Sequence, residues 1–216
     1  LRLESWRFIN YVYLIIDENT RHAAIVDPAW NLAAITSRLR ELDVDLKAIL
    51  LTHSHYDHVN LVEQLVSRFN INVYISLEEA NYYRFHSRNL VAVRDREVLD
   101  LAGTRITCLL TPGHTYGGIC YSLPDALFSG DTVFIEGCGV CDLDGGCPEK
   151  MYESIQTIKR SVSPDARVYP GHSFGKPPGE LFSRVMRENI YFQITRKDHF
   201  VAFRTRKNQP DPLNFR

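Results

Sequence analysis

The chain has 216 residues, 44% of them hydrophobic, with 25 basic and 26 acidic side chains for a net charge of −1. That is enough apolar material for one sizeable core, and the charge balance argues against a dedicated nucleic-acid or membrane surface. No apolar run approaches the roughly 18 residues a membrane span needs; five cysteines without a secreted-scaffold spacing are expected as reduced thiols, and the N-terminus LRLESWRF lacks a signal-peptide layout, so the expected compartment is the cytoplasm.

In chain order, YVYLII, AAIVD and KAILLT read as strands, with a helix between the last two on the 3 to 4 spacing of Leu32, Ile35, Leu39 and Leu42. Leu61, Leu65 and Phe69 give a second helix, followed by the strand NVYIS. RITCLL, GICYSL and ALFSG then run together as strands. Met151, Ile155, Ile158 and Val162 form a helical stripe, as do Leu181, Val185 and Ile190, a last helix that Pro177 and Pro178 are expected to open. Strands mixed with helices in this order predict an α/β layered fold with mixed sheets. No linker or repeat divides it, so residues 1–216 are expected as one domain. Residues 191–216 form a basic C-terminal extension, in which Arg196, Lys197, Arg204, Arg206, Lys207 and Arg216 face only Asp198 and Asp211 in number.

After KAILL comes THSHYDH, with His53, His55, Asp57 and His58 in quick succession. An extended His-x-His sends both imidazoles to one side, and the turn that follows brings Asp57 and His58 to a second position. Three further strand ends carry matching residues: His114 in TPGHT, Asp131 in LFSGDT and His172 in YPGHS. Each alone is an ordinary loop or core residue. Converging at one sheet end they would carry desolvation and charge costs that metal binding offsets. They are too many for one tetrahedral zinc and suit two ions, with His53, His55 and His114 on one, Asp57, His58 and His172 on the other, and Asp131 between. Ligands without thiolate fit Zn²⁺, with Fe or Mn as alternatives. His22, His86 and His199 fall outside any motif.

These residues resemble the signature of the metallo-β-lactamase fold superfamily, THxHxDH followed by a lone His, a bridging Asp and a final His, across residues 52 to 172. The resemblance implies a four-layered αββα sandwich of two mixed sheets with a dinuclear site at the sheet edge. NYVYLI, IVDPA, TPGHTYGG, SGDTVF and GCG are similar to the glyoxalase II branch, and Asp131 stands where true β-lactamases generally place Cys or Ser. Two positions depart from glyoxalase II: Val140 follows GCG in place of a basic glutathione contact, and Phe174 replaces a frequent Tyr. The stretch after His172 is expected to lack the longer helical region that completes its glutathione site.

Around IEGCGVCDLDGG and YPGHSFGKPPG the chain resembles zinc-dependent hydrolases encoded with bacterial trans-acyltransferase polyketide synthases. That resemblance implies an acyl thioester on the phosphopantetheine arm of an acyl carrier protein. Carrier proteins are generally acidic, which gives the basic C-terminus an expected partner. The expected reaction is thioester hydrolysis by a metal-bridged hydroxide, with Asp57 both ligand and orienting base. The alternatives are a glyoxalase II-type glutathione thioester hydrolase, a mononuclear iron persulfide dioxygenase, a lactonase, and a non-catalytic module that binds carrier protein.

GCGVCDLDGGC, residues 137–147, holds Cys138, Cys141 and Cys147. They are one ligand short of a structural zinc site, and no histidine is near in sequence. Gly145, Gly146 and Pro148 keep the segment a loop until Glu149, unlike a redox Cys-x-x-Cys that opens a helix. The remaining reading is a pocket wall, with Gly139, Val140, Cys141 and Phe174 as the expected substrate contacts.

Overall fold

The computed structural model describes residues 1–207 except 7 and 102; Asp211 and Arg216, with the end of the expected extension, lie outside the described residues. The chain opens with a hairpin of β1 (Arg2–Ser5) and β2 (Phe8–Tyr11). It then builds a mixed sheet from β3 (Tyr13–Ile16), β4 (His22–Val26), β5 (Asp45–Leu50), β6 (Asn72–Ser76) and β7 (Leu90–Val93), side by side in that order. β3 and β4 are antiparallel and the later pairs are parallel. The connections carry α1 (Leu32–Glu41), α2 (Tyr56–Val59), α3 (Val62–Phe69) and α4 (Leu77–Tyr82).

A second mixed sheet contains β8 (Val98–Leu101), β9 (Thr104–Leu110), β10 (Ile119–Ser122), β11 (Ala126–Gly130), β12 (Arg167–Pro170) and β13 (Glu180–Leu181). Only β11 and β12 run parallel among the described strands of this sheet. α5 (Pro148–Ser161) joins those two, and α6 (Phe182–Glu188), α7 (Ile190–Gln193) and α8 (Lys197–Arg204) close the described chain.

Alternation along the strands sorts side chains into three cores, one for each interface of a four-layered αββα sandwich. Ala23, Ile25, Ile49, Val73 and Ile75 pack with Ile35, Leu39, Leu65 and Val66 of α1 and α3. Ala24, Val26, Ala48 and Leu50, on the opposite face, pack against Ile106, Cys108, Ile119, Tyr121 and Phe128 of the second sheet. Leu109, Cys120, Leu127 and Val168 turn outward onto Met151, Ile155, Ile158 and the C-terminal helices. Strands buried on both faces read as continuous apolar runs, which is why KAILLT and AAIVD showed no polar alternation.

Two expectations change. Pro177 and Pro178 do not open the last helix; β13 intervenes and α6 begins at Phe182. The basic C-terminal extension is packed onto the domain as far as Arg204: Tyr191, Phe192 and Phe200 are core residues, and the charges around them are largely engaged. Arg196 pairs with Asp198 and Lys197 with Glu153 at 2.5 Å, while Arg204, 8% exposed, donates to the Tyr191 hydroxyl at 2.9 Å. Aromatic burial outweighs the charge pattern here. No helix among the described residues is long and apolar enough to cross a membrane.

Candidate metal centre

Strand ends from both sheets deliver the polar residues. β5 runs on through Leu51 and Thr52 to His53; His55 precedes α2, which carries Asp57 and His58; His114, Asp131 and His172 follow β9, β11 and β12. Glycine is a steric condition at two exits. Gly130 has φ 48°, and a Cβ there would lie 2.3 Å from Thr52 Oγ1; at Gly171 it would meet Asp131 Oδ1 and His58 Cε1 at 2.6 Å.

The expected residues come together. One ligand atom each from His53, His55 and His114 lie within 4.8 Å of one another, and so do those of Asp57, His58 and His172. Asp131 reaches both groups, with Oδ2 3.6 Å from His114 Nε2 and 3.4 Å from His172 Nε2, and Oδ1 3.6 Å from His58 Nε2.

Most of these imidazoles are oriented from behind. His114 Nδ1 donates to the Val140 carbonyl at 2.8 Å, and His172 Nδ1 to the Ile9 carbonyl of β2 at 2.7 Å. His58 Nδ1 bonds Asp27 Oδ2 at 3.0 Å. His53 Nδ1 donates to Thr52 Oγ1 at 3.0 Å, and that hydroxyl in turn donates to Asp27 Oδ2 at 2.5 Å. These partners assign the tautomers and leave Nε2 of all four for the site. His55 presents Nδ1, 3.1 Å from His114 Nε2.

Two residues of the site escape the sequence reading. Asp27, 3% exposed, also accepts from the Thr52 amide at 2.8 Å and forms a third convergent group with His53 and His58. A carboxylate ending the apolar run AAIV was its only signal. Asn10 donates through Nδ2 to the Asp57 carbonyl at 2.8 Å and to Oδ2 at 3.0 Å, while its Oδ1 accepts from Trp30 Nε1 at 2.7 Å. An asparagine in a strand gives no local hint of a partner 47 residues away.

Burial and charge pull the two groups apart. Burial holds His53 well below the usual imidazole range, lowers His55, and takes His114 down to about 4. Burial also opposes charge on His58, but the carboxylates of Asp57, Asp131 and Asp27 outweigh it and raise His58 to about 10. His172 is raised in the same way against burial, chiefly by Asp131 and Asp57. Burial pushes the Asp57 carboxyl up, yet His58, His172 and Asn10 hold it below the ordinary aspartate value.

The cluster fits cations. His53 Nε2 and Asp131 Oδ1 are buried with no hydrogen-bond partner, and His58 Nε2 meets His172 Nε2 at 3.3 Å. Orphaned acceptors beside nitrogen–nitrogen contacts are what a metal site shows when only its ligands are drawn. Imidazole and carboxylate donors suit zinc, iron or manganese.

The 137–147 loop lies behind this cluster. A Cβ at Gly139 would approach Asp131 O at 2.1 Å and His114 Nδ1 at 2.8 Å, so its backbone packs directly on the site. Cys141 corrects its expected place in the pocket wall: at 7% exposure it belongs with Cys138 to the core shared with Phe200 and Tyr191. Burial raises the Cys141 thiol to about 12 and holds Cys138 well above the usual range. All five cysteines are free thiols, and none joins a metal-compatible group among the described residues. Val140 and Phe174 are half-buried. The Phe174 ring packs 4.6 Å from Phe134, itself 6.3 Å from His172.

The sequence profile described as the Metallo-beta-lactamase superfamily matches residues 6–172. The chain is 53% identical over 215 residues to the probable polyketide biosynthesis zinc-dependent hydrolase PksB of Bacillus subtilis (strain 168), covering 100% of this chain and 95% of that relative. It is 31% identical over 184 residues to the hydroxyacylglutathione hydrolase of Buchnera aphidicola subsp. Baizongia pistaciae (strain Bp), covering 85% of this chain and 70% of the relative. Among solved structures, ETHE1 from Myxococcus xanthus matches with a TM-score of 0.84 at 28% identity, over 94% of this chain and 88% of that one.

Proposed function

This chain belongs to the metallo-β-lactamase superfamily, and from that premise we propose that it is a zinc-dependent hydrolase of polyketide biosynthesis, acting in the cytoplasm on an acyl thioester carried by the phosphopantetheine arm of an acyl carrier protein. The observation that carries the reading is the pair of convergent ligand groups, joined through Asp131. The polyketide setting comes from the name of the Bacillus subtilis relative.

His53, His55 and His114 would hold one cation and Asp57, His58 and His172 another, with Asp131 between them. When bound, such cations supply Lewis acidity, making water acidic toward roughly pH 7 and drawing electron density from a carbonyl oxygen. The protein's own part is orientation and proton handling. Asn10 fixes Asp57 through Oδ2, and Asp57, kept ionised, is placed to accept a proton from the attacking water. The leaving thiol then takes up a proton as the thioester C–S bond breaks. At the rim, Val140 and Phe174 give apolar surface with no counter-charge for the carboxylates of glutathione. A neutral pantetheine arm is the better match.

The test presents one acyl group on glutathione, coenzyme A, a pantetheine mimic and a carrier protein. The carrier-bound thioester should show the highest kcat/KM. Preference for glutathione would return the chain to the glyoxalase II reading, and turnover of acyl-homoserine lactones alone would make it a lactonase. One iron per chain with oxygen uptake on a persulfide would make it a dioxygenase. Tight carrier binding without turnover would make it a binding module.

A further inference from the structure

The N-terminus of α4 reads Ser76-Leu77-Glu78-Glu79, the sequence of a capping box. In that motif the N-cap hydroxyl accepts from the amide three residues on, and the glutamate returns to the N-cap amide. The first half is present, since Ser76 Oγ accepts from the Glu79 amide at 3.0 Å. The second half is diverted. Glu79 Oε1 accepts from both the amide and the hydroxyl of Ser54, each at 2.8 Å, and Oε2 accepts from the Gly117 amide at 2.9 Å. The Ser76 hydroxyl in turn donates to the Gly117 carbonyl.

Ser54 lies between His53 and His55, and Gly117 lies three residues after His114. One carboxylate thus bonds both loops that supply the His53, His55 and His114 nitrogens. It is 0% exposed, and no lysine or arginine among the described residues pairs with it. A buried carboxylate without a cation is costly, and a helix of this length gains little from a cap that leaves it. Gly117 gives independent support: a Cβ there would fall 2.1 Å from the Glu79 amide nitrogen, so the loop backbone is seated directly on the start of α4.

We propose that Glu79 is a positioning residue that sets the spacing of the His53/His55/His114 group and leaves the Asp57/His58/His172 group untouched. The inference rests on reading the three histidines as ligands of one cation. It goes beyond that reading by naming what holds them in register. Outer partners of this kind typically alter metal affinity by about 10- to 100-fold when removed.

Glu79→Gln is the selective break. Its amide oxygen can still accept from Ser54, but its NH₂ must face the Gly117 N–H, donor against donor. The experiment titrates Zn²⁺ into the full chain in two backgrounds: His172→Ala, which leaves the all-histidine group intact, and His55→Ala, which leaves the other. Glu79→Gln should weaken binding about 10- to 100-fold in the first background and less than about threefold in the second. Ser54→Ala, which removes one of three bonds and keeps the carboxylate, should give a smaller loss of the same selectivity, and serves if Glu79→Gln fails to fold by circular dichroism. Equal losses in both backgrounds would make Glu79 a general structural residue and overturn the proposal, as would no loss in either. A wild-type chain that binds no Zn²⁺ at all would overturn the metal reading itself, and the inference with it.

Discussion

The two ligand groups are built from neighbouring residues yet differ in kind. His53, His55 and His114 form a neutral set, because burial keeps all three imidazoles below their ordinary range. Asp57, His58 and His172 form an ionic set, in which carboxylates raise both imidazoles against burial. Their supports differ in the same sense. The neutral set is held by the Val140 carbonyl, by the Thr52 hydroxyl that itself donates to Asp27, and, through its loops, by Glu79; the ionic set is held by Asp27 directly, by Asn10 and by the Ile9 carbonyl of the N-terminal hairpin. The difference teaches that carboxylate placement, not histidine count, decides which half carries a proton when empty.

The largest effect should come from removing the residue the halves share. Asp131→Ala should bring turnover to background and leave at most one bound metal per chain, as read by elemental analysis and a thioester assay; two retained equivalents would dissolve the comparison. Next, Asp57→Asn should keep the neutral set loaded while lowering kcat by about 10²- to 10⁴-fold, the usual span for a lost general base. A loss of both metals would show the halves to be one unit.

The pH dependence separates the halves further. In the metal-free chain His58 titrates near 10, so its pairing contributes stability that is full below pH 6.5 and is lost as pH rises through 10. His114 is depressed to about 4 and burial holds His53 well below its ordinary value, so their contribution is present above pH 6.5 and is lost as pH falls through those lowered values. Loading the ionic set at pH 8 should therefore release more protons than loading the neutral set. Calorimetry in buffers of different ionisation enthalpy, in the His55→Ala and His172→Ala backgrounds, would read this directly. The smallest effect is at the rim: Val140→Lys should shift the ratio of glutathione to carrier-protein thioester turnover by about tenfold, equivalent to about 1.4 kcal/mol. An unchanged ratio would remove that residue from substrate choice.

The site was legible where chemistry sits next to strand ends. THSHYDH, TPGHT, SGDT and YPGHS gave every member of both convergent groups, because histidine and aspartate after apolar runs have few other reasons to recur. Their supports were not legible. Asn10, Asp27 and Glu79 act through contacts 25 to 47 residues distant in sequence, and Glu79 sat in a motif that local rules assign to helix capping. The layered fold followed from the strand and helix order and the resemblance. The packing of the C-terminal helices was hidden because Arg196, Lys197 and Arg204 made the segment read as a basic extension. Cys141 misled in the opposite direction, since a cysteine in a glycine-rich loop can face the core as easily as a pocket.

The most direct test strips metal from the purified chain with a chelator, then restores Zn²⁺ stepwise while following bound equivalents and carrier-thioester hydrolysis in the same sample. The account predicts turnover that vanishes on stripping and returns as loading reaches two equivalents per chain. Full turnover in the metal-free chain would contradict it.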